Sequence, residues 1–190
     1  MATVSMQQRT PQWHAARRGK LTASNVGAAL GLCPWTSRQQ AYNRAMGLER
    51  FQGNDATRWG TDNEANGVLA YSAHTGNVVD ATGLHVHPTT SWLAGSPDGL
   101  IGEAGLLEVK CPYWRKKDGT RVHQTVPAHY YMQMLGHLCN RREGVRGWGW
   151  HGVPPWGSSR RSARSEAPVA RRYSAYTEAM FPAAKPVNVE

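Results

Sequence analysis

GSPDGLIGEAGLLEVKCP, residues 95–112, reads as two short strands joined by a tight turn. Asp98–Ile101 and Leu106–Cys111 are the arms, and Gly102-Glu103-Ala104-Gly105 supplies the hairpin. Side chains alternate along a strand, so Glu108 and Lys110 project from one face while Leu107 and Val109 project from the other. A turn at 102–105 brings Asp98 alongside them. Two carboxylates and a lysine on a half-buried sheet are costly unless something uses them, because neighbouring anions repel, and a divalent cation is the simplest remedy. Mg²⁺ takes oxygen ligands and keeps several waters, so Asp98, Glu108 and the backbone carbonyl of Val109 form a suitable set. Lys110 would then stand beside the attacking water or the charge developing on a phosphate. The same residues allow a plainer reading, with Asp98 as an Asx turn before Gly99 and Glu108 with Lys110 as an exposed ion pair at a sheet edge.

Around this hairpin the chain reads as an α/β (α+β) domain over residues 1–139. A short helix is predicted over WHAARRG, residues 13–19, and another from Asn25 to Leu30, with Thr22-Ala23-Ser24 as its cap. A third runs from Ser37 to Met46 and closes at Gly47. A fourth spans Trp59 to Gly76, with Ala65, Val68, Leu69 and Ser72 at the spacing of a buried stripe and Glu64 in its first turn. Asn77–Val79, Gly83–His87 and Trp92–Ala94 are short strand candidates, and a final helix covers Ala128 to Cys139. From Asn140 the chain becomes rich in Arg, Gly, Pro and Ser and reads as loop or disorder. There Val145–His151 is the one candidate strand and Tyr173–Phe181 the one helix-capable stretch.

Composition bounds the function. With 190 residues, the chain fits one domain with an appendage. Its mean hydropathy of -0.57 leaves no run long enough to span a bilayer, and the N-terminus has no secretory signal pattern. Cys33, Cys111 and Cys139 lie far apart, which argues against a disulfide framework and for a reducing, cytoplasmic setting. No His pair has the spacing of a helical zinc site. The net charge of +9 favours a polyanionic partner, nucleic acid before membrane. That charge is uneven: residues 1–139 carry 13 basic against 9 acidic residues, and residues 140–190 carry 9 against 4.

The order of motifs is more specific than any of these. Pro97-Asp98, nine intervening residues, then Glu108-x-Lys110 resembles the PD-(D/E)XK nuclease signature. The surrounding sequence resembles the phage lambda-type exonuclease, or YqaJ-like viral recombinase, family. Its landmarks occur in order: Trp13-His14 with Arg17 and Leu21-Thr22-Ala23-Ser24; Trp59-Gly60 with Glu64; Ser96 to Leu100; Leu107 to Pro112; and Tyr130 with Gln133. The family's helix often reads Tyr-x-x-Gln-x-Gln, and the second glutamine position here is Leu135.

The resemblance implies a restriction-endonuclease-like core, a central mixed sheet flanked by helices, incomplete at its C-terminal end if residues 140–190 supply no strands. It implies that Asp98 and Glu108 bind Mg²⁺, with Mn²⁺ as a substitute, and that Lys110 assists the attacking water. Glu64 would complete the acidic site, Gln133 and Tyr130 would support it, and Arg17, Ser24 and Ser96 would grip the 5′-phosphate of a duplex end. The implied activity is 5′ to 3′ degradation of linear duplex DNA, leaving 3′ single-stranded tails for recombination. Members of that family can assemble as a trimeric ring and can work with a single-strand annealing protein. Two other readings stand beside this one: a non-enzymatic basic DNA-binding protein with a degenerate nuclease core, and a PD-(D/E)XK endonuclease that cuts closed circles.

Overall fold

The computed structural model describes residues 6–103, 105–113 and 126–140 in full, and 147–152 and 162–163 as backbone. Residue Ala104 of the hairpin turn and the Tyr173–Phe181 stretch lie outside the described residues.

Helix α1 (Pro11–Arg17) starts where Thr10 caps it, its hydroxyl accepting from the Trp13 amide, and Pro11 sits where no amide hydrogen is needed. Strand β1 (Leu21–Thr22) passes directly into α2 (Ala23–Ala29). Helix α3 (Arg38–Met46) opens on a reciprocal Ser37–Gln40 capping box and stops at Gly47, whose φ of 75° suits glycine.

Helix α4 runs from Asp55 to Thr75, starting four residues before the expected Trp59. Asn54 and Thr57 form its capping box, so the polar run that reads as a loop is the helix start. Glu64 is therefore in the body of the helix, where the terminal dipole does not account for it. The expected stripe is also displaced. Leu69 is 67% exposed, whereas Gly67 and Tyr71 are buried and Val68 joins the packing. The tyrosine forms the contact that the aliphatic spacing assigned to Leu69.

Two small sheets follow. β1 pairs in parallel with β3 (Leu93–Gly95), which pairs antiparallel with β2 (His85–Val86). The second sheet has the order β4 (Gly99–Ile101), β5 (Gly105–Lys110), β6 (Gly147–Gly152) and β7 (Ser162–Ala163). Asn77–Val79 forms no strand; only Asp80 makes a bridge, to Leu100. β4 and β5 are antiparallel in the register expected of the hairpin, with Gly99 opposite Leu107.

β6 falls on the one strand candidate of the C-terminal segment, Val145–His151, with bounds at Gly147 and Gly152. It lies parallel to β5 over six residues, from Gly105 opposite Gly147 to Lys110 opposite Gly152. Parallel neighbours need a crossover, and α5 (Ala128–Cys139) lies between them in sequence. The strand signal of GWGWHG is weak because glycine carries little strand propensity. The edge of β5 that would otherwise stand open is covered.

β5 is consequently buried on both faces. Leu107 and Val109 pack with Tyr71 of α4, and Leu106 packs with Met134 of α5. A third cluster, Leu21, Val26, Ala29 and Leu93, joins α2 to the first sheet. Helices α2 and α5 approach closely at Gly27, where an added Cβ would lie 2.7 Å from the Cα of His129. Gly27→Ala is expected to destabilise the fold by about 1–3 kcal/mol through overpacking, read as a lower thermal midpoint. An unchanged midpoint would show that the two helices have room to separate. Among the described residues no helix is long and apolar enough to cross a membrane.

Candidate active site

The hairpin register carries Asp98 to the middle of β5. The Asp98 amide donates to the Leu107 carbonyl at 3.0 Å, and the Val109 amide donates to Asp98 Oδ2 at 2.6 Å. The carboxylate is thus fixed by backbone on the neighbouring strand. Glu108 is only 2% exposed, which removes the reading of an exposed ion pair at a sheet edge. Its Oε1 accepts from Lys110 Nζ at 2.5 Å and from Gln133 Nε2 at 2.5 Å. Gln133 reaches it from α5, the crossover helix, so strand and helix of one βαβ unit converge on a single carboxylate oxygen. Tyr130, one helical turn earlier, places its ring 5.0 Å from Lys110 Nζ.

On the other side of Glu108, His137 Nε2 lies 3.0 Å from Oε2, off the line of a regular hydrogen bond. Both groups are 2% exposed. Sequence reasoning grouped His137 with histidines that carry no zinc pattern and assigned it nothing. The available signal was its position four residues after Gln133, on the same helical face.

The electrostatics follow from burial and charge. Burial, the Glu108 charge and the more distant Glu64 charge push the Asp98 carboxyl well up, against the opposing pull of Lys110 and the Val109 amide. Burial also acts upward on Glu108, but Lys110 and His137 outweigh it and hold the carboxyl down at about 2. Lys110 is raised because its two carboxylate neighbours outweigh its desolvation. Among the described residues Lys110 forms a direct ion pair with Glu108 and acts on Asp98 only through its charge.

This donor set suits a hard divalent ion. Asp98 is buried beside the Glu108 charge, and Glu108 Oε2 is buried without a regular hydrogen bond. Among the described residues no three His, Cys, Asp or Glu side chains group as a metal cage. Carboxylate oxygens as donors match Mg²⁺ rather than the closed nitrogen and sulfur shell of a structural zinc.

Glu64 approaches from α4, with Arg9 Nη2 at 2.6 Å from its Oε2. Cys111 Sγ, at the end of β5, lies 3.4 Å from the Asn63 carbonyl and ties this part of α4 to the strand. Burial pushes the Cys111 thiol up to about 11, with the Glu64 and Asp98 charges adding to it.

A second group converges beside the first. Arg17 Nη2 donates to Thr22 Oγ1 at 3.3 Å and to Ser24 Oγ at 3.2 Å, and its guanidinium stacks 4.0 Å above the Trp13 ring. Trp13 Nε1 in turn donates to Ser96 Oγ at 2.9 Å. Arg17, Ser24 and Ser96 therefore come together, and Ser96 is two residues from Asp98. Neither hydroxyl of Thr22 or Ser24 caps α2: Thr22 stands at the cap position without a side-chain capping bond. Burial lowers Arg17 to about 10, which leaves it cationic at neutral pH. Trp13, which the sequence offered only as part of a family landmark, links the serine to the arginine; the i, i+4 spacing of Trp13 and Arg17 on α1 was the available signal. Val109 meets Asp98 through its amide, and its carbonyl remains a candidate ligand by position only.

Comparison with known proteins bears on this arrangement. The family model for the YqaJ-like viral recombinase domain matches residues 12–139. LHK-Exo, an alkaline exonuclease from Laribacter hongkongensis, is 27% identical, with 91% of each chain covered and a TM-score of 0.70. The crystal structure of LHK-Exo in complex with dAMP is likewise 27% identical over 91% of each chain, with a TM-score of 0.71. Among curated proteins no relative matches.

Proposed function

Because this chain belongs to the YqaJ-like viral recombinase family and is a nuclease of the phage exonuclease type, we propose that it degrades linear duplex DNA from the 5′ end with a divalent cation, Mg²⁺ or Mn²⁺, held by Asp98 and Glu108. The observation that carries this reading is the joining of two groups through Ser96-Pro97-Asp98: a carboxylate, lysine and glutamine cluster, and an arginine and hydroxyl cluster. The first suits hydrolysis of a phosphodiester and the second suits a terminal phosphate.

Asp98 and Glu108 would hold the ion, with the Val109 carbonyl as a third ligand. When bound, it supplies Lewis-acid activation of water and of the scissile phosphate. Lys110 orients the attacking water and offsets charge growing on the phosphate oxygens. Gln133 and Tyr130 keep the Glu108 and Lys110 side chains in place. Glu64 stands by as a third carboxylate able to take a proton from the water. Arg17 offers its guanidinium to the 5′-phosphate, helped by Ser24 and Ser96 hydroxyls that now bond within the protein. The dAMP bound in LHK-Exo supports release of mononucleotides. A trimeric ring enclosing the duplex, an annealing partner for the 3′ tail and a cytoplasmic location belong to the same proposal.

The test compares linear 5′-phosphorylated, linear 5′-hydroxyl and closed circular duplexes in the presence of Mg²⁺. Degradation of linear DNA alone, faster with the phosphate, supports the proposal, while cutting of closed circles would favour an endonuclease and no cutting a binding protein. In the same assay Arg17→Ala should reduce the preference for phosphorylated ends by about tenfold or more, the scale of one lost charge-assisted pair. A preserved preference would remove Arg17 from the end clamp.

A further inference from the structure

Helix α5 presents Tyr130, Gln133 and His137 along one face, at steps of three and four residues. The first two meet Lys110 and Glu108 Oε1. The third meets the other oxygen of the same carboxylate, with His137 Nε2 3.0 Å from Glu108 Oε2. Both residues are 2% exposed, and a buried polar pair is costly unless its atoms are used. Among the described residues neither ring nitrogen of His137 makes a regular hydrogen bond, and nor does Glu108 Oε2. The far side of the ring is just as closely set. An added Cβ at Gly95 would stand 2.7 Å from His137 Nδ1, 3.1 Å from Asn140 Nδ2 and 3.3 Å from the Ala23 Cβ, so only glycine leaves the ring its place. From Gly95, at the end of β3, the chain runs through Ser96 and Pro97 to Asp98. His137 is thus wedged between the segment that delivers Asp98 and the carboxylate of Glu108, a place that packing alone would fill with an apolar side chain.

Lys110 and Gln133 both draw on Oε1, which leaves the Glu108 carboxylate free to turn unless Oε2 is held as well. A carboxylate oxygen has two lone-pair directions, so Oε2 can face His137 with one and an ion with the other. Resting on the nuclease reading above, we infer that His137 is a positioning residue for the divalent ion: its Nε2 fixes the oxygen of Glu108 that Lys110 and Gln133 leave, and its ring, seated on Gly95, sets the spacing between Glu108 and the Asp98 segment. It acts through Glu108 rather than on the substrate. Partners of this kind, standing behind a ligand, change metal affinity or rate by about 10- to 100-fold.

The test is calorimetric titration of the full chain with Mn²⁺, using His137→Gln and His137→Asn. The glutamine amide nitrogen reaches the place of Nε2, whereas that of asparagine reaches only the place of Nδ1. H137Q should therefore bind Mn²⁺ within about threefold of the parent, and H137N about tenfold more weakly or worse. For linear duplex at limiting Mn²⁺, kcat should follow the same order while KM for DNA stays at the parent value. Gly95→Ala keeps the imidazole but crowds it, and should weaken Mn²⁺ binding as H137N does. The metal-free thermal midpoint is read for each variant, and if H137N does not fold, G95A against the parent decides. Parent-like Mn²⁺ affinity in H137N or G95A, or equal losses in H137Q and H137N, would make His137 a packing residue and leave the nuclease reading intact. A parent chain that neither binds Mn²⁺ nor degrades linear duplex would overturn both.

Discussion

Lys110→Met should reduce the degradation of linear duplex by about 10³-fold or more while changing DNA affinity only a few-fold, in line with the effect of removing a group that acts at the reacting centre. The expectation follows from how the ammonium is held. Lys110 Nζ is fixed 2.5 Å from Glu108 Oε1 and 5.0 Å from the Tyr130 ring, so it has one position and few alternatives. Methionine keeps the length and apolar contacts of the lysine stem, so little packing is lost. Glu108 loses its strongest counter-charge, but a divalent ion replaces that attraction, and Mn²⁺ binding should persist or tighten. That combination, ion retained and cleavage lost, separates a chemical role from a structural one. Lys110→Arg should not restore the rate, because a planar guanidinium cannot occupy the same point beside Glu108. Cleavage near the parent rate in either variant would place the lysine outside the reaction.

The sequence made the carboxylate hairpin readable because its evidence is local. Strand alternation fixes which of Leu107, Glu108, Val109 and Lys110 share a face, and the turn length fixes where Asp98 arrives. Both are period-two facts that need no knowledge of the rest of the chain. Burial of Glu108 was not readable, because it depends on α5 and β6 covering both a face and an edge of β5. β6 was legible only as the single strand candidate Val145–His151, and its signal was weak for a compositional reason: alternating glycine and tryptophan in a basic segment offers neither β-branched residues nor a polar alternation. The start of α4 was obscured because Asn54 and Thr57 read equally as loop residues until their reciprocal hydrogen bonds are seen. Arg9 and His137 were missed for a further reason. Each meets a carboxylate distant in sequence, 55 residues away for Arg9 and 29 for His137, and no local pattern joins them.

Asp98→Asn should abolish Mn²⁺ binding and lower cleavage by about 10³-fold or more, yet leave the thermal midpoint of the metal-free protein unchanged or raised. The two halves of this expectation have a common cause. Burial, Glu108 and Glu64 all oppose a charge on Asp98 in the absence of a cation, so a neutral side chain of the same shape relieves repulsion. Asparagine also retains an oxygen to accept the Val109 amide, the 2.6 Å bond that joins the start of β4 to β5. Asp98→Ala removes that acceptor as well and leaves a part-buried amide unpaired, which costs about 1–3 kcal/mol. The alanine variant should therefore melt below the parent while the asparagine variant does not, although both are inactive. Equal destabilisation by the two would mean that the carboxylate is there to hold the hairpin. Cleavage retained by the asparagine variant would mean that the ion, if bound, lies elsewhere. Stability kept with metal and activity lost would identify Asp98 as a residue whose charge the apo fold disfavours and the reaction requires.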